Sequence, residues 1–542
     1  MTAKLQTGSP RRVRHGARLP MILGRGLSPL PAVALVLLLI ACQASPLDPP
    51  RAATLTAQAA LAPTHTPTPL LSTAPTATPG GAEAVEPSQA DPLASEPGSA
   101  LTFWVGDAGG SGVEMLEQGA ADFSAETGIQ VEVVRVANRL LPELMASAVL
   151  SNTLPDLVLH PAELSHGWAD RGVLDSEAAT AVLQNLGRET FDTDAVAQLE
   201  VDGNDGLVAA LPSDGWQQLL IYRTDWFDEL DLPPPATYTD LAAAAEAIHE
   251  TDSPISGLIV PTDSSLVSTQ HVFEHLAIAN GCRLASPEGE VTLLQPACLE
   301  ALEFYRALIN DYSPIGLQTD ISALSGYLSG RTGIIAASPA VLPAIAGLSV
   351  TDRPSCPQCT VADYLATNSG LVTKVQGASD LATPANFSSI TALGITSAAD
   401  RPAAMSFAEY WFDELYPQWL AVNPELKVPM RVGTQNDATL FVDQWSQTPL
   451  TPDGATLADI YGIDIATRLS QDVAAADRWG LANQQGSLVT SLYEELLIAP
   501  LLQDMLSGYF TSSQTIVEMY LAVVNTIPGY DFPIQVVPTP TP

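Results

Sequence analysis

The chain has few basic residues and few aromatic ones. Its 542 residues include 22 Lys and Arg against 60 Asp and Glu, and aromatic residues make up 6%. Nucleic-acid binding needs clustered Lys and Arg to neutralise phosphates, so this balance argues against a nucleic acid as partner. A strongly anionic substrate is disfavoured for the same reason, although a local basic pocket could override the overall field.

Several catalytic signatures are also missing. The sequence has no Gly-x-Ser-x-Gly nucleophile elbow, no phosphate-binding loop ending in Gly-Lys-Ser/Thr, and no dinucleotide fingerprint. We therefore predict that the chain uses no cofactor and is not an enzyme. Paired carboxylates remain possible among so many acidic residues, but no spacing singles out a pair.

The first 42 residues indicate export and anchoring. A basic leader precedes an apolar run over residues 32–40, which is too short to span a bilayer, since a span needs about 20 residues. Residues 39–42, Leu-Ile-Ala-Cys, resemble the lipobox of bacterial lipoproteins, in which the cysteine is acylated and becomes the new N-terminus. We expect a signal peptide over 1–41 and lipidation at Cys42. The alternative is an ordinary secreted protein in which Cys42 is coincidental.

Composition divides the rest of the chain. Residues 42–99 are rich in Thr, Pro and Ala and contain almost nothing apolar to bury, so we predict a disordered linker there, and a disordered tail over 535–542. The body between them is long enough for two domains. Removing the six basic residues of the leader takes the formal net charge from −38 to −44.

Four cysteines remain in the body, an even number that suggests disulfides outside the cytoplasm. Pairing Cys282 with Cys298, and Cys356 with Cys359, gives two local bridges, although sequence alone does not fix the connectivity. The spacing of Cys356 and Cys359 also fits a redox dithiol. A local bridge is favoured, because the residues before Cys356 indicate a loop and not a strand.

The start of the body alternates between strand and helix patterns. A strand over 101–105, a turn over 106–112 and a helix over 113–127 are followed by a strand at 129–134, a helix at 139–151 and a strand at 157–160. This βαβα order predicts a mostly parallel sheet covered by helices.

Several short segments, taken in their order along the chain, resemble those of one protein family. They include Phe-x-x-Glu-Thr-Gly-Ile-x-Val at 123–131, Leu-Pro-Asp-Leu-Val at 154–158, the 205–227 region around Leu-Pro and Tyr-Arg-Thr-Asp, Leu-Ser-Gly-Arg-Thr-Gly at 328–333, and Lys-Val-Pro-Met-Arg at 427–431. Together they resemble the extracellular solute-binding proteins of ABC importers, in the sugar-binding family. One departure is Arg223, where that family usually has Asn.

The resemblance implies an α/β fold of two lobes, periplasmic-binding-protein-like and of type II, with a ligand cleft between the lobes. Each lobe would hold a mixed or mostly parallel sheet flanked by helices. We place lobe one at 100–212 plus 385–428, and lobe two at 213–384 plus 429–534. The boundary between 345 and 435 is poorly defined by the sequence.

A sugar site needs aromatic platforms together with polar groups that bind hydroxyls in pairs. The segment Ser213, Asp214 and Trp216 follows the first expected hinge crossing, and Trp216 could stack on a sugar or belong to the lobe core. Asp107 and Ser111 lie on the turn after the first strand, where each is either a ligand contact or plain turn chemistry.

Two further candidates carry charge. Glu163 follows the strand at 157–160 and is either a ligand contact or an acid in the first turn of a helix, the latter being favoured. Arg431 could reach the cleft or form a structural ion pair. His271 and His275 share one helical face with metal-ligand spacing, but a third ligand is not evident and exposed surface histidines are favoured.

We therefore expect a lipid-anchored receptor on the outer face of the membrane or in the periplasm, acting as a monomer. It would capture a mono- or oligosaccharide by lobe closure and deliver it to ABC permease subunits. The alternatives are a surface-anchored polysaccharide hydrolase and a binding module for a sensor kinase.

Overall fold

The computed structural model describes residues 100–530 except 107–108, 202, 204–205, 251–253 and 482–484. Several predicted features lie outside the described residues: the predicted signal peptide 1–41, the lipidation at Cys42, the predicted linker 42–99 and the predicted tail 535–542. Asp107 and the side chain of Ser111 lie outside them as well. In the described part of the chain, no helix has both the length and the apolar character needed to cross a membrane.

Ten strands in the described ranges form two sheets. They are β1 (Leu101–Val105), β2 (Val131–Arg135), β3 (Leu157–Pro161), β4 (Leu211–Gln217), β5 (Leu219–Arg223), β6 (Ser256–Ile259), β7 (Thr332–Ala337), β8 (Ser369–Val372), β9 (Ser388–Ile395) and β10 (Val428–Pro429). One sheet has the order β10-β4-β9-β3-β1-β2, and the other has the order β6-β7-β5-β8.

Both sheets are mixed. In the six-stranded sheet β1 pairs in parallel with β2 and β3, whereas β9 runs antiparallel to β3 and β4. In the four-stranded sheet only the β6–β7 pairing is parallel. The parallel pairs come from the βαβ units near the start of each sheet. The sheets are mixed because β4, β5 and β9, the strands next to the passages between the two sheets, pair antiparallel with their neighbours.

Helices cover both sheets. They are α1 (Gly109–Thr127), α2 (Leu141–Ser151), α3 (Ser165–Asp170), α4 (Ser176–Leu186), α5 (Thr193–Ala197), α6 (Thr224–Glu229), α7 (Tyr238–Ile248), α8 (Val267–Ala279), α9 (Pro296–Tyr312), α10 (Asp320–Leu328), α11 (Leu342–Ile345), α12 (Tyr364–Thr367), α13 (Arg401–Tyr410), α14 (Tyr416–Leu420), α15 (Leu440–Ser446), α16 (Leu457–Tyr461), α17 (Ile463–Ser470), α18 (Gly486–Glu494), α19 (Ala499–Leu506) and α20 (Ser512–Asn525). A π-helical turn, Trp411–Leu415, joins α13 to α14.

The structure differs from the predicted local structure at two places, both of which were expected to be turns or loops. Helix α1 begins at Gly109, so the turn expected over 106–112 is shorter than predicted, because the small residues at its end continue as helix. Residues 213–216 belong to strand β4 and not to a loop, because Asp214, Gly215 and Trp216 pair with β9.

The chain passes between the sheets at two places. Strand β4 ends at Gln217 and β5 begins at Leu219, while the return passes from β8 to β9. The Gln218 N–H donates to the Phe387 carbonyl over 2.9 Å, which ties the two crossing segments together. The division of the whole chain between the lobes at the predicted boundaries stays a prediction.

The four cysteines of the body form two local bridges in this structure. Cys282 pairs with Cys298 across a Cα–Cα distance of 4.6 Å, and Cys356 pairs with Cys359 across 5.0 Å. Cys282 and Cys298 are both buried, so the first bridge fixes the start of α9 against the turn that follows α8. The second lies in the turn region before α12.

Candidate functional site

A buried ionic group lies where the two sheets meet. Glu163 sits on the 3₁₀ turn Ala162–Leu164 directly after β3 of the six-stranded sheet. Glu274 lies on α8, which follows β6 of the four-stranded sheet, and Arg478 lies between α17 and α18. We call Glu163, Glu274, Arg478 and Tyr493 the interlobe cluster, since its members come from both lobes and from the C-terminal helices.

Arg478 holds the interlobe cluster together. Its Nη1 donates to Glu163 Oε1 over 2.8 Å, its Nε donates to Glu274 Oε1 over 2.8 Å, and its Nη2 donates to the Tyr493 hydroxyl over 3.0 Å. The side chains of Arg478 and Glu163 are each 2% exposed, and that of Glu274 is fully buried. Buried charges are tolerated when they are paired and hydrogen-bonded in this way.

Electrostatics in the interlobe cluster favour a charged guanidinium and a neutral phenol. Burial alone lowers the pKa of Arg478, but its interactions with Glu274, Tyr493 and Glu163 outweigh burial and raise that pKa well above its usual value. Burial raises the pKa of Tyr493 well above 10, against the opposing charge of Arg478. Arg478 therefore stays cationic, and the neutral Tyr493 hydroxyl donates a hydrogen bond to Glu274 Oε2.

Three aromatic rings adjoin the interlobe cluster. The Arg478 guanidinium lies 4.2 Å from the centre of the Phe387 ring, and the His271 ring centre lies 4.7 Å from that of Phe387. The Trp216 ring centre is 6.0 Å from that of His271 and 6.5 Å from that of Phe387. The arrangement combines an apolar aromatic wall with carboxylates, which are the two kinds of surface a sugar ring needs.

Three buried polar atoms in this region have no hydrogen-bond partner among the described residues: Glu163 Oε2, His271 Nε2 and Ser388 Oγ. Each belongs to a residue that contacts the interlobe cluster or is part of it, because the Ser388 carbonyl accepts from Arg478. Burying an unpaired polar atom costs about 1–3 kcal/mol. A ligand that supplies hydroxyl groups could offset this cost.

Trp216 is the predicted ligand contact that lies beside the interlobe cluster. It stands near the end of β4, opposite Ser389 of β9, and it is only partly buried. Glu163 is also here, and its Oε1 accepts a further hydrogen bond from Ser389 over 3.3 Å. Glu163 is thus both an acid in a helical turn and a member of the candidate site.

Ser213 and Asp214 have partners elsewhere. Asp214 Oδ2 accepts from Ser213 Oγ and from Trp419 Nε1, each over 2.7 Å, and Asp214 is 2% exposed. Burial raises the pKa of Asp214, while the charge of Lys427 and these two hydrogen bonds oppose the rise. Their predicted contact with ligand stays a prediction, and the structure does not bring them to the interlobe cluster.

Arg431 is buried within the six-stranded lobe. Its Nη1 donates to the Phe412 carbonyl and to Asp413 Oδ1, each over 2.8 Å, and its guanidinium lies between the rings of Phe191 and Phe441. Arg431 thus forms a structural ion pair, one of the two roles expected for it from the sequence. Its contact with a ligand stays a prediction. The positions of Asp107 and of the Ser111 side chain lie outside the described residues.

The exposed position expected for His271 and His275 is wrong. Both are buried, because α8 is covered on all sides from Thr269 to Ala279. His275 Nε2 pairs with the Ala385 carbonyl, and burial lowers the pKa of His275 to about 4. Burial, aided by the charge of Arg478, lowers the pKa of His271 well below 6.5. In the described ranges no group of three or more His, Cys, Asp or Glu could hold a metal ion.

A concavity lies within the four-stranded lobe. It has a volume of about 510 Å³ and is bordered by Tyr238, Asn280, Phe304 and Ser379. Two of its polar side chains bind backbone: the Tyr238 hydroxyl donates to the Leu276 carbonyl, and Asn280 Oδ1 accepts from the Ser379 N–H. We therefore regard the interlobe cluster, and not this concavity, as the better candidate site.

Comparison with known families defines the class of protein. Residues 118–415 match the family model described as bacterial extracellular solute-binding protein. This match covers more than half of the chain, and the chain belongs to that family.

A curated relative is the putative ABC transporter periplasmic-binding protein YcjN of Escherichia coli strain K12. It is 24% identical over 222 residues, which are 40% of this chain and 50% of the relative. The match thus spans only about half the length of that relative.

Solved structures share the fold over most of both chains. A solute-binding protein of Thermotoga lettingae, bound to α-D-tagatose, is 19% identical and has a TM-score of 0.59; the match covers 79% of this chain and 99% of that one. MalE3 of T. maritima, bound to maltose, is 16% identical with a TM-score of 0.58, covering 79% and 100%. A solute-binding protein of Agrobacterium radiobacter K84 with ribitol is 16% identical with a TM-score of 0.55, covering 79% and 99%. The two-lobe α/β fold expected from the sequence is confirmed.

Proposed function

We propose that this chain is a receptor that captures a mono- or oligosaccharide between its lobes and delivers it to an ABC permease. The observation that carries the proposal is the interlobe cluster with its aromatic wall and the unpaired atoms Glu163 Oε2, His271 Nε2 and Ser388 Oγ. Sugars and a polyol in the structural relatives, namely tagatose, maltose and ribitol, support this ligand class.

The mechanism is closure of the lobes around the solute. Glu163 comes from the six-stranded side and Glu274 from the four-stranded side, so a solute that contacts both favours the closed form over the open one. The paired crossing segments at Gln218 and Phe387 would act as the hinge. We place lobe one at 100–212 plus 385–428 and lobe two at 213–384 plus 429–534. The permease would then respond to the closed form.

No bond of the solute is broken in this proposal. Arg478 bridges Glu163 and Glu274, whereas in a glycosidase the scissile bond lies between the two carboxyl groups. Incubation of the protein with polysaccharides should release no reducing ends. Release at a rate that falls in a Glu163→Gln variant would favour the hydrolase alternative instead.

The capture proposal is tested by a thermal-shift screen over sugars, polyols, amino acids, peptides and metal ions. Sugars or polyols should raise the unfolding temperature in a concentration-dependent way, because a ligand that binds only the folded state stabilises it. A rise produced only by amino acids or peptides would contradict the sugar assignment.

Anchoring is a separate part of the proposal. We infer that Cys42 is lipidated, that residues 42–99 hold the body away from the membrane, and that the chain works as a monomer outside the cytoplasm. A Cys42→Ser variant should move from the detergent phase to the aqueous phase in phase partitioning of cell extracts. Retention of that variant in the detergent phase would contradict lipid anchoring.

A further inference from the structure

The interlobe cluster carries an uncompensated charge. Two carboxylates, Glu163 and Glu274, share the single guanidinium of Arg478, and these are the ion pairs of the cluster in the described part of the chain. The neighbouring His271 is neutral because its pKa is held well below 6.5, chiefly by burial. By formal charge, Glu163, Glu274 and Arg478 together carry one net negative charge, and their side chains are at most 2% exposed.

Arg478 cannot offer its charge to an acidic ligand. Four of its five N–H groups donate to protein acceptors: Glu274, Glu163, the Ser388 carbonyl and the Tyr493 hydroxyl. Its face is covered by the Phe387 ring at 4.2 Å. A carboxylate on a ligand would thus meet the cluster without a free cation to receive it.

The unpaired acceptor is a carboxylate oxygen. Glu163 Oε1 already accepts from Arg478 and Ser389, whereas Glu163 Oε2 has no partner among the described residues although its side chain is 2% exposed. Hydrogen bonds from a cationic donor to such an oxygen are about twice as strong as neutral ones. A cationic amine would both fill this acceptor and neutralise the remaining charge.

We propose that the site selects an amino sugar, that is, a sugar carrying a cationic amine, over the neutral parent sugar and over the uronic acid. This inference rests on the proposed function, because it assumes that a sugar binds at the interlobe cluster. The amine would lie at Glu163 Oε2, and the sugar ring would face Trp216.

The test uses matched sets of ligands with the full mature chain at pH 6.5. Glucose, galactose and mannose are each compared by calorimetric titration with their 2-amino and uronic acid counterparts. In at least one set the amino sugar should bind about tenfold or more tightly than the neutral sugar, and the uronic acid about tenfold or more weakly. The proposal is overturned if, in every set that binds, the neutral sugar binds as tightly as its amine or the uronic acid binds as tightly as its neutral parent.

A Glu163→Gln variant checks the residue responsible. It retains the shape of the side chain and leaves Arg478 paired with Glu274, so the ratio of amino-sugar to neutral-sugar affinity should shrink to about twofold or less, whatever happens to the affinity for the neutral sugar. A preference that survives in the folded variant overturns the assignment to Glu163. If the variant does not fold, the ranking measured with the unaltered chain decides the question.

Two further outcomes separate this inference from the proposed function. If neutral sugars bind and Trp216→Ala weakens them, but amines gain nothing, the charge inference fails and the proposed function stands. If no sugar in any set binds and the thermal-shift screen finds no other sugar or polyol that binds, both fail. Spermidine, which carries amines without a sugar ring, should bind at least tenfold more weakly than the amino sugar, and equal binding would overturn the sugar part of the proposal.

Discussion

Two groups of buried charges in this chain are built in different ways. One group, Asp214, Trp419, Glu425 and Lys427, lies within the six-stranded side, and we call it the Asp214 cluster. Asp214 is on β4, which pairs with β10 just after Lys427. The interlobe cluster instead joins Glu163, Glu274 and Arg478 from three distant segments. A cluster whose residues all lie on one side of the molecule stabilises that side alone. The contacts of a cluster whose residues come from both sides depend on how the two lobes meet.

The two clusters also differ in how directly their charges are paired. Arg478 makes direct ion pairs of 2.8 Å with both glutamates. Lys427 instead lies 4.1 Å from the centre of the Trp419 ring and donates to the Val422 carbonyl. Burial lowers the pKa of Lys427, against the attraction of Asp214 and Glu425. Removing a charge should therefore cost much more in the interlobe cluster.

The largest effect should follow from Arg478→Met. This change leaves Glu163 and Glu274 buried without a cation, so the free energy of unfolding should fall by about 3–5 kcal/mol in urea titration. Arg171→Met is the matched control, because Arg171 pairs with Glu494 with its side chain 51% exposed. That control should cost less than about 1 kcal/mol. Equal losses in the two variants would contradict the difference between buried and exposed pairs.

Acid should destabilise the chain through its buried histidines. Burial lowers the pKa of His275, on the four-stranded side, and of His160, on the six-stranded side, from 6.5 to about 4. The unfolded chain binds these protons first, so stability is retained above pH 6.5 and is lost as the pH falls towards 4, by about 3 kcal/mol per histidine.

Urea titrations at several pH values measure this loss. His275→Gln and His160→Gln should each make the loss between pH 6.5 and 4 shallower, and their effects should add because the two residues lie in separate lobes. A stability that stays constant over this window in the unaltered chain would contradict the burial of both imidazoles.

Trp216→Ala should weaken sugar binding by at least about 1 kcal/mol, or roughly fivefold in dissociation constant, with little loss of folding. The reason is that the ring is partly exposed beside His271 and Phe387. Trp226→Ala is the matched control, since Trp226 is also partly buried but packs on Arg223 in the four-stranded lobe. Calorimetric titration of both variants should show a loss for Trp216 alone, and unchanged affinity in folded Trp216→Ala would remove this residue from the site.

The smallest effect should come from Asp214→Asn. The amide oxygen can still accept from Ser213 and Trp419, and removing a buried carboxylate whose pKa is raised by burial offsets the lost attraction to Lys427. The free energy of unfolding should change by less than about 1 kcal/mol. A loss as large as that of Arg478→Met would show that the charges of the Asp214 cluster are as critical as those of the interlobe cluster.

Local pattern predicted much of the fold. The first five elements, from β1 to β3, lie within a few residues of the segments expected from periodicity, because their apolar faces repeat at strand or helix spacing. The two disulfide pairings were accessible because each links residues close in sequence. The two-lobe fold could be predicted because many short segments occur in the same order as in the extracellular solute-binding proteins.

The candidate site was only partly predictable. Glu163 and Trp216 stand at or just after strand ends, a position that sequence can indicate, but the partner of Glu163 lies 315 residues away. Glu274 lies between His271 and His275, the two histidines that have metal-ligand spacing. Because α8 is buried on all sides, its polar residues face protein groups, and sequence periodicity gives no sign of this.

A crystal structure of the chain with a sugar selected by the thermal-shift screen tests the account most directly. We predict density for the sugar between the two sheets, in contact with Trp216 and Glu163. Sugar density in the concavity beside Tyr238 and Asn280, with the interlobe cluster unchanged, would contradict it.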